Sequence, residues 1–224
     1  MCITRTKFFL LTICLVGLIG KSGHAATPQG AYQVQIIAED MCCKGCAQKV
    51  AGQLYAAPGV TAVDANLKTK TVVVTVSQQK GATLEQLWQA VAAGEGGPTK
   101  LTTADATFTF ARPESSADNQ TLPKGTTYVV INNLHCKGCA QKIAAQLYTI
   151  RGVNKVSADM KQNILIVTNK NGQDLSPWAL IGAVTAAKER PVAIIGAYGR
   201  MSIEWSTPKT VSAHSQSGNG GFQR

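Results

Sequence analysis

The chain has few of the side chains that most enzymes use for catalysis. Its 224 residues include three histidines, and two of these, His24 and His214, lie near the ends of the sequence. Neither paired carboxylates, nor a catalytic serine arrangement, nor a glycine loop for phosphate can be identified in the sequence. Because little general-base capacity remains, we expect the protein not to be an enzyme.

Aromatic residues are also scarce, at 6% of the chain, and the basic residues are not clustered. Lysine and arginine exceed aspartate and glutamate by 22 to 12, which gives a net charge of +10. The lysines are scattered among Ala, Gln and Thr without interleaved aromatics, a pattern that does not support nucleic-acid binding. We therefore expect no nucleic-acid partner, and a mildly basic surface that can attract an acidic one.

Long apolar runs are absent beyond the first 25 residues, which have the organisation of a secretory signal peptide. Arg5 and Lys7 precede an apolar stretch at residues 8–19, and small residues precede a cleavage point after Ala25. The stretch is too short to cross a bilayer comfortably. We expect an exported, periplasmic or extracellular protein that is not an integral membrane protein.

Cysteines that could link distant segments are missing as well. Loss of the signal peptide would leave five cysteines, and all of them lie in two short motifs: Cys42, Cys43, Cys46, Cys136 and Cys139. An exported protein that depends on disulfides for its fold usually spreads an even number of cysteines through the chain. The sequence thus indicates metal-binding or redox-active thiols rather than structural disulfides.

What the chain does contain is a repeat. The run Cys-Lys-Gly-Cys-Ala-Gln-Lys occurs at residues 43–49 and again at 136–142, and further identities continue at the same offset without a gap. Such self-similarity indicates two copies of one unit of about 75 residues, large enough to bury a small core. The expected organisation is a signal peptide (1–25), a first domain (30–111), a flexible linker (112–125), a second domain (126–205) and a disordered tail (206–224).

Hydrophobic periodicity predicts the order βαββαβ in each unit. Alternating apolar residues lead into each motif as a strand, and a helical period begins near the second cysteine. Thr83 and Ser176 are predicted to cap the second helices, while Thr107–Phe110 and Ser202–Trp205 are predicted as the last strands. This order is typical of an α+β ferredoxin-like sandwich, an antiparallel four-stranded sheet with both helices on one face. We therefore expect two tandem sandwiches joined by the linker.

The two cysteine pairs, Cys43 with Cys46 and Cys136 with Cys139, are the predicted metal ligands. Residues three apart at the start of a helix project to one side, so two sulfurs can meet at one ion. The positive end of the helix dipole, together with nearby lysines, favours the thiolate form. Two thiolates suit Cu(I), which is soft and accepts few ligands. Hg(II) fits equally well, and Zn(II), which usually takes four ligands, fits less well.

Cys42 and His135 stand immediately before the first cysteine of each pair. Each is a candidate third ligand that would raise affinity and slow release of the ion. Because neighbours at the end of a strand start out facing opposite ways, we expect Cys42 to point away from Cys43. His135 is expected to be a surface histidine.

With the strand, the two cysteines and the helix in this order, each unit resembles the heavy-metal-associated domain of copper chaperones, copper-transporting P-type ATPases and periplasmic mercury-binding proteins. The family motif Met-x-Cys-x-x-Cys is matched by Met-Cys-Cys-Lys-Gly-Cys at residues 41–46 and, with leucine first, by Leu-His-Cys-Lys-Gly-Cys at 134–139. The resemblance implies that both cysteine pairs are ligands. It also implies that Met41 packs beneath the loop without binding the ion, so that Leu134 can replace methionine.

These observations predict an exported protein that sequesters or shuttles Cu(I), with a metal-transport protein as donor or acceptor. A thiol–disulfide oxidoreductase is the alternative, since such enzymes also place Cys-x-x-Cys at a helix start. A thioredoxin-like fold would not place a hairpin directly after that helix, which disfavours the alternative. A third hypothesis is an interaction module whose thiols are oxidised in an oxidising compartment.

Overall fold

The computed structural model describes residues 30–112 and 122–206. The predicted signal peptide, most of the predicted linker and nearly all of the predicted tail lie outside these residues. The first unit consists of β1 (Ala31–Ala38), α1 (Lys44–Tyr55), β2 (Val60–Asn66), β3 (Thr71–Ser77), α2 (Leu84–Ala93), β4 (Pro98–Thr102) and β5 (Ala106–Ala111). The second consists of β6 (Thr126–Ile131), α3 (Lys137–Leu147), β7 (Val153–Asp159), β8 (Ile164–Asn169), α4 (Pro177–Ala186), β9 (Pro191–Gly196) and β10 (Gly199–Trp205).

Each unit contains the predicted ferredoxin-like sandwich. The strand order is β2-β3-β1-β4 in the first unit and β7-β8-β6-β9 in the second, and every neighbouring pair is antiparallel. The two helices of each unit pack against one another. Side chains alternate along β1, so that Val34, Ile36 and Ala38 are fully buried between the sheet and the helices. Burial of this alternating face is what fixes the register of the sheet.

The two strands predicted to complete the sheets are fifth strands. Thr107–Phe110 lies in β5 and Ser202–Trp205 lies in β10, whereas the fourth strands are β4 and β9. These two fourth strands were missed in the sequence. Both strands begin with proline. The β4 sequence, PTKLT, buries Pro98 and Leu101 but has no alternating pattern of apolar residues. Proline is tolerated at the first residue of a strand because the missing N–H removes no backbone hydrogen bond from the interior of the sheet.

The extra strands join the two units, which are therefore connected by more than a linker. β5 pairs with β10 in antiparallel register, Phe108 opposite Ile203, and the result is one continuous sheet of ten strands. Its order is β2-β3-β1-β4-β5-β10-β9-β6-β8-β7, with the repeat related by an approximate twofold axis between β5 and β10. Pairing in this way removes two sheet edges that would otherwise be free to pair with other chains.

Aromatic side chains from both units pack over the junction. Trp178 at the start of α4 lies 5.1 Å from Phe108 and 5.9 Å from Trp88, measured between ring centroids. Phe108 also lies 6.4 Å from Trp205 in an edge-on arrangement. Aromatic pairs at these separations contribute about 0.5–1.5 kcal/mol each beyond the area they bury. The three tryptophans and the two phenylalanines of the described residues thus lie where the two domains meet.

A polar contact crosses the same junction beside the aromatic rings. The hydroxyl of Ser176, the residue that caps α4, donates a hydrogen bond of 2.7 Å to the Glu85 carboxylate on α2. The contact is partly buried, and Glu85 lies in the first turn of its own helix, where a negative charge is favourable. The cap predicted at Ser176 therefore also connects the two domains.

The cap predicted at Thr83 forms a complete capping box. Its hydroxyl accepts a hydrogen bond from the Gln86 N–H at 3.2 Å, and the Gln86 side chain accepts one from the Thr83 N–H at 2.9 Å. We expect Thr83→Ala to lower the free energy of unfolding by about 1 kcal/mol, because one donor at the helix start loses its partner. Denaturant unfolding measures this change, and Thr83→Ser, which keeps the hydroxyl, should remain within a few tenths of the parent. Equal losses in both variants would contradict the capping role.

A tyrosine that the repeat carries in both copies has the same role in each. The Tyr55 hydroxyl accepts a hydrogen bond from the Val63 N–H at 3.2 Å, and the Tyr148 hydroxyl accepts one from the Val156 N–H at 3.1 Å. Each bond fastens the end of the motif helix to the edge strand that follows it. Both rings remain about half exposed. Their retention in the repeat is therefore explained by a structural hydrogen bond rather than by burial.

Candidate metal centre

Both cysteine pairs lie where the first strand of a unit is followed by the first helix. Cys43 is the N-cap of α1 and Cys136 the N-cap of α3, each with extended backbone angles. The Cys43 sulfur accepts a hydrogen bond from the Cys46 N–H at 3.2 Å, and the Cys136 sulfur accepts one from the Cys139 N–H at 2.9 Å. A sulfur thus takes the place that serine or aspartate usually occupies at a helix start. The cap turns both sulfurs of a pair toward the same side.

The residue that begins each motif is buried beneath the loop, as the resemblance implied. Met41 is fully buried and Leu134 is 2% exposed, and both belong to the hydrophobic core. The Leu134 N–H donates to the Asn163 side-chain oxygen at 2.9 Å, which fixes the second loop to the β7–β8 turn. Replacement of methionine by leucine changes the packing under the loop without removing a ligand.

In the first site the three sulfurs lie close together. The Cys43 and Cys46 sulfurs are 2.6 Å apart, and the Cys42 sulfur is 3.7 Å from that of Cys46. All three lie within 4.8 Å of one another. With metal–sulfur bonds of about 2.3 Å, three sulfurs around one ion in a plane would be about 4 Å apart. Small side-chain rotations would therefore be enough for all three to contact one ion.

The expectation that Cys42 points away from the pair is wrong. The alternation of side chains that motivated it applies inside a strand, but β1 ends at Ala38, four residues earlier. Between β1 and α1 the chain turns, with Met41 N–H bonded to the Ala38 carbonyl at 3.1 Å. The turn brings the side chains of neighbouring residues 42 and 43 to the same side. Whether Cys42 is a ligand stays a prediction.

The second site has the same arrangement with an imidazole in place of the third sulfur. Cys136 and Cys139 form a disulfide, with Cα atoms 5.2 Å apart. The Nε2 atom of His135 lies 3.9 Å from the Cys139 sulfur, and its Nδ1 is 3.3 Å from the Asn133 carbonyl oxygen. His135 is exposed, as expected, but its ring is directed at the cysteines. Both sites thus place a third potential ligand at the position before the first cysteine.

The thiols of the first site do not have equal acidity. Hydrogen bonds from the neighbouring thiols of Cys43 and Cys42 lower the pKa of Cys46 to about 7. The pKa of Cys42 is raised, chiefly because its hydrogen bond to Cys46 and the negative charges of the two other sulfurs favour its protonated form. The sequence predicted acidic thiols from the helix dipole, and for Cys46 the neighbouring thiols lower the pKa.

A lysine lies beside each cysteine pair, and acidic residues are absent from the first turns of α1 and α3, while exposed Glu39 and Asp40 precede the first motif. Lys44 and Lys137 directly follow the first cysteine of each pair and are exposed. Lys49, one helical turn further on, forms an ion pair of 2.8 Å with Glu95, which raises the pKa of Lys49 and lowers that of Glu95. Both groups are largely exposed, so this pair contributes little to stability. The Lys49–Glu95 contact was not predicted from the sequence.

Within residues 30–112 and 122–206, the groups of three or more closely spaced potential metal ligands are the two described above. No helix in the same part of the chain is long and apolar enough to cross a membrane. Among the described residues, the groups of potential metal ligands therefore lie in the two cysteine motifs.

A ferredoxin-like sandwich with a pair of cysteines at its first strand–helix junction defines a small metal-binding module that uses sulfur ligands, and this chain carries two of them. The profile of the heavy-metal-associated domain matches residues 35–96 and 129–188, more than half of the chain. The protein belongs to the heavy-metal-associated domain family, in a tandem form, and its modules are of the metal-binding type.

Several solved structures are similar over parts of the chain. The water-soluble region of the P-type ATPase CopA from Bacillus subtilis is 18% identical, with 72% of this chain and 89% of that chain covered and a TM-score of 0.30. The mercury-bound form of MerP, the periplasmic protein of the bacterial mercury detoxification system, is 26% identical, with coverage of 33% and 96% and a TM-score of 0.27. A copper-binding domain of the P-type ATPase HMA7 is 17% identical, with coverage of 37% and 93% and a TM-score of 0.26. The family assignment rests on the two domain matches.

Proposed function

We propose that the protein is an exported carrier of soft metal ions that holds one Cu(I) in each domain and releases it by thiolate exchange. The observation that supports this most directly is the convergence of Cys42, Cys43 and Cys46 within 4.8 Å, repeated by His135, Cys136 and Cys139. Each group has two or three soft or borderline ligands on a rigid helix start. Such a site suits an ion that accepts few ligands.

Copper is preferred over zinc because of the number of ligands. Structural zinc sites are almost always four-coordinate, while either group offers at most three protein ligands among the described residues. Hg(II) has the same preference for sulfur and remains an alternative, as does Zn(II) with an outside ligand. Anaerobic titration of the reduced protein with each ion, in competition with a chelator, ranks the three. Binding of Zn(II) more tightly than Cu(I) would contradict the copper assignment.

Release by ligand exchange is favoured by the exposure of the sulfurs. Cys42 and Cys43 are exposed, and Cys46 is partly exposed, so a thiolate from another protein can reach the ion without unfolding of the loop. The barrier to release is lowered because the bond to the incoming thiolate forms before a bond to this protein breaks. The partner we expect is a metal-transport protein with its own exposed thiolates, acting as donor or acceptor. We expect no catalytic activity beyond this exchange.

Export is proposed from the N-terminal sequence, in which Arg5 and Lys7 precede the apolar stretch of residues 8–19. Cell fractionation with N-terminal sequencing of the mature chain tests this. Recovery of the processed chain in the periplasmic or extracellular fraction is expected. Recovery of an unprocessed chain in the cytoplasm would contradict export.

The disulfide leads to a prediction about the oxidation state. Sulfurs joined as in Cys136–Cys139 cannot bind as thiolates. Protein in which this disulfide is intact and Cys43 and Cys46 are reduced should therefore take up about one Cu(I) per chain, and full reduction should raise uptake to about two. Mass spectrometry after alkylation reports the disulfide, and native mass spectrometry reports the copper. Uptake of two ions by protein in which this disulfide is intact would contradict the assignment of the second site.

The disulfide and the lowered pKa of Cys46 are also features of thiol–disulfide oxidoreductases. We rank this function second because each motif helix is followed directly by a β-hairpin in a ferredoxin-like sandwich. An insulin-reduction assay distinguishes the two. Turnover that is lost in Cys43→Ser or Cys136→Ser would favour the oxidoreductase.

Cys42 provides a test of the coordination number. In a variant that lacks the second site (Cys136→Ser, Cys139→Ser), we expect Cu(I) at the first site to have three sulfur neighbours. Adding Cys42→Ser should reduce this to two without abolishing uptake, because Cys43 and Cys46 remain. X-ray absorption spectroscopy measures the number of sulfur neighbours. Two neighbours in both variants would show that Cys42 is not a ligand while leaving the carrier function intact.

A further inference from the structure

The strand order determines how the two metal sites are placed relative to each other. The path from β1 to β6 across the sheet passes through β4, β5, β10 and β9, and each of the five steps is antiparallel. An odd number of antiparallel steps reverses the direction of the chain, so β6 runs opposite to β1. The first site follows the end of β1 and the second follows the end of β6. The two sites therefore follow the ends of two strands that are five steps apart in the ten-stranded sheet and antiparallel in its topology.

The distance across the sheet follows from the spacing of its strands. Neighbouring strands are about 4.8 Å apart, so five steps separate β1 from β6 by about 24 Å. Sheet twist of about 20–25° per strand accumulates to about 100–125° over five steps, so β1 and β6 cross at a large angle, but the twist does not shorten this lateral separation. Ligands of one ion must lie within about 5 Å of each other. The two sites cannot share an ion, nor can one pass it to the other directly.

The junction holds this arrangement as one unit. β5 and β10 pair over six residue positions, from Ala106 opposite Trp205 to Ala111 opposite Arg200. Two further contacts join the domains beside this strand pair: the packing of the Trp178 ring on the Phe108 ring, and the Ser176–Glu85 hydrogen bond. Movement of one domain toward the other would break these contacts together. A flexible linker alone would have allowed the two sites to meet.

We infer that the protein is a carrier with two separate docking sites: it presents its metal sites to two separate partners, one at each site, which exchange ions with it independently. This inference rests on the proposed function. Each site offers a partner exposed sulfurs beside exposed lysines, Lys44 at the first site and Lys137 with Lys142 at the second. The fitting partner is a metal-binding protein with exposed thiolates and an acidic rim. Each site can take its own partner because the two sites are separated by about 24 Å across the sheet.

The experiment follows the movement of one equivalent of Cu(I) between the sites of the reduced, full-length chain. Amide NMR signals of Gly45 and Gly138 report the occupancy of the first and second sites separately. Metal-free wild-type protein is mixed with a sub-stoichiometric amount of the Cys136→Ser/Cys139→Ser variant that carries copper in its first site. The filling of each wild-type site is then followed at several protein concentrations. A chelator that captures free Cu(I) suppresses exchange through solution.

We expect both wild-type sites to fill in bimolecular steps, so that a tenfold rise in protein concentration raises each rate about tenfold. Redistribution from the first site to the second should show the same dependence. A redistribution rate that is independent of protein concentration and persists with the chelator would overturn the inference, because it would require direct passage within one molecule. X-ray absorption that reveals copper–copper scattering at two equivalents would overturn it as well. Absence of copper uptake altogether would instead reject the proposed function.

Discussion

Changing Cys43 and Cys46 together to serine is expected to reduce Cu(I) uptake from about two ions per reduced chain to about one. The change removes both sulfurs at the start of α1, and the remaining Cys42 offers a single ligand, too few to hold the ion against a chelator. The second domain keeps Cys136 and Cys139 and should bind copper as before. Chelator competition followed by native mass spectrometry gives the number of ions and the affinity of the site that remains.

The repeat supplies the matched control for this experiment. Cys136→Ser with Cys139→Ser should also leave about one ion per chain, now in the first domain, and the variant with all four serines should bind none tightly. Serine keeps the side-chain acceptor at the N-cap position, so the helix starts should remain formed. Circular dichroism verifies this. Undiminished uptake of copper, mercury and zinc by the fourfold variant would refute the assignment of both sites.

Much of each domain can be predicted from the sequence because its signals are local. The cap at Thr83 and the cap with following proline at Ser176–Pro177 mark helix starts in a few residues, and both were confirmed. The metal motif is equally local: three residues separate each pair of sulfurs, and the helix start turns them to one side. The ungapped repeat added the domain count, which the two family matches confirm.

The features that were missed depend on contacts between distant residues. The strand PTKLT has no periodic pattern of its own, and its position is set by pairing with β1, where Ile36 is opposite Leu101. The same holds for the pairing of β5 with β10, which joins residues about a hundred positions apart in sequence. Rings that lie apart in sequence, such as Trp88 and Trp178, gave no signal of their own. The sequence rule for a strand also failed at Cys42, because the strand had already ended.

Replacement of Phe108 by alanine is expected to destabilise both domains at once. Phe108 is 4% exposed, lies on β5 opposite Ile203, and packs on Trp178 and Trp205 of the second domain. Loss of a buried phenylalanine costs about 3–5 kcal/mol, since the cavity left behind is only partly closed. For a chain of this size, the melting temperature should fall by roughly 10 °C. Calorimetry of the reduced apoprotein measures this shift.

The effect of Phe108→Ala on the second domain distinguishes a continuous sheet from two independent domains. If the sheet is continuous, hydrogen exchange should speed up in β10 and α4 of the second domain as well as in β5, and unfolding should remain a single transition. Leu67→Ala, at a 38% exposed position in the turn after β2, is the control and should have little effect on either domain. Two separate transitions, with the second domain unaffected by Phe108→Ala, would show that the domains behave as independent units. The fixed separation of the two metal sites would then no longer hold, because it depends on the same strand pairing.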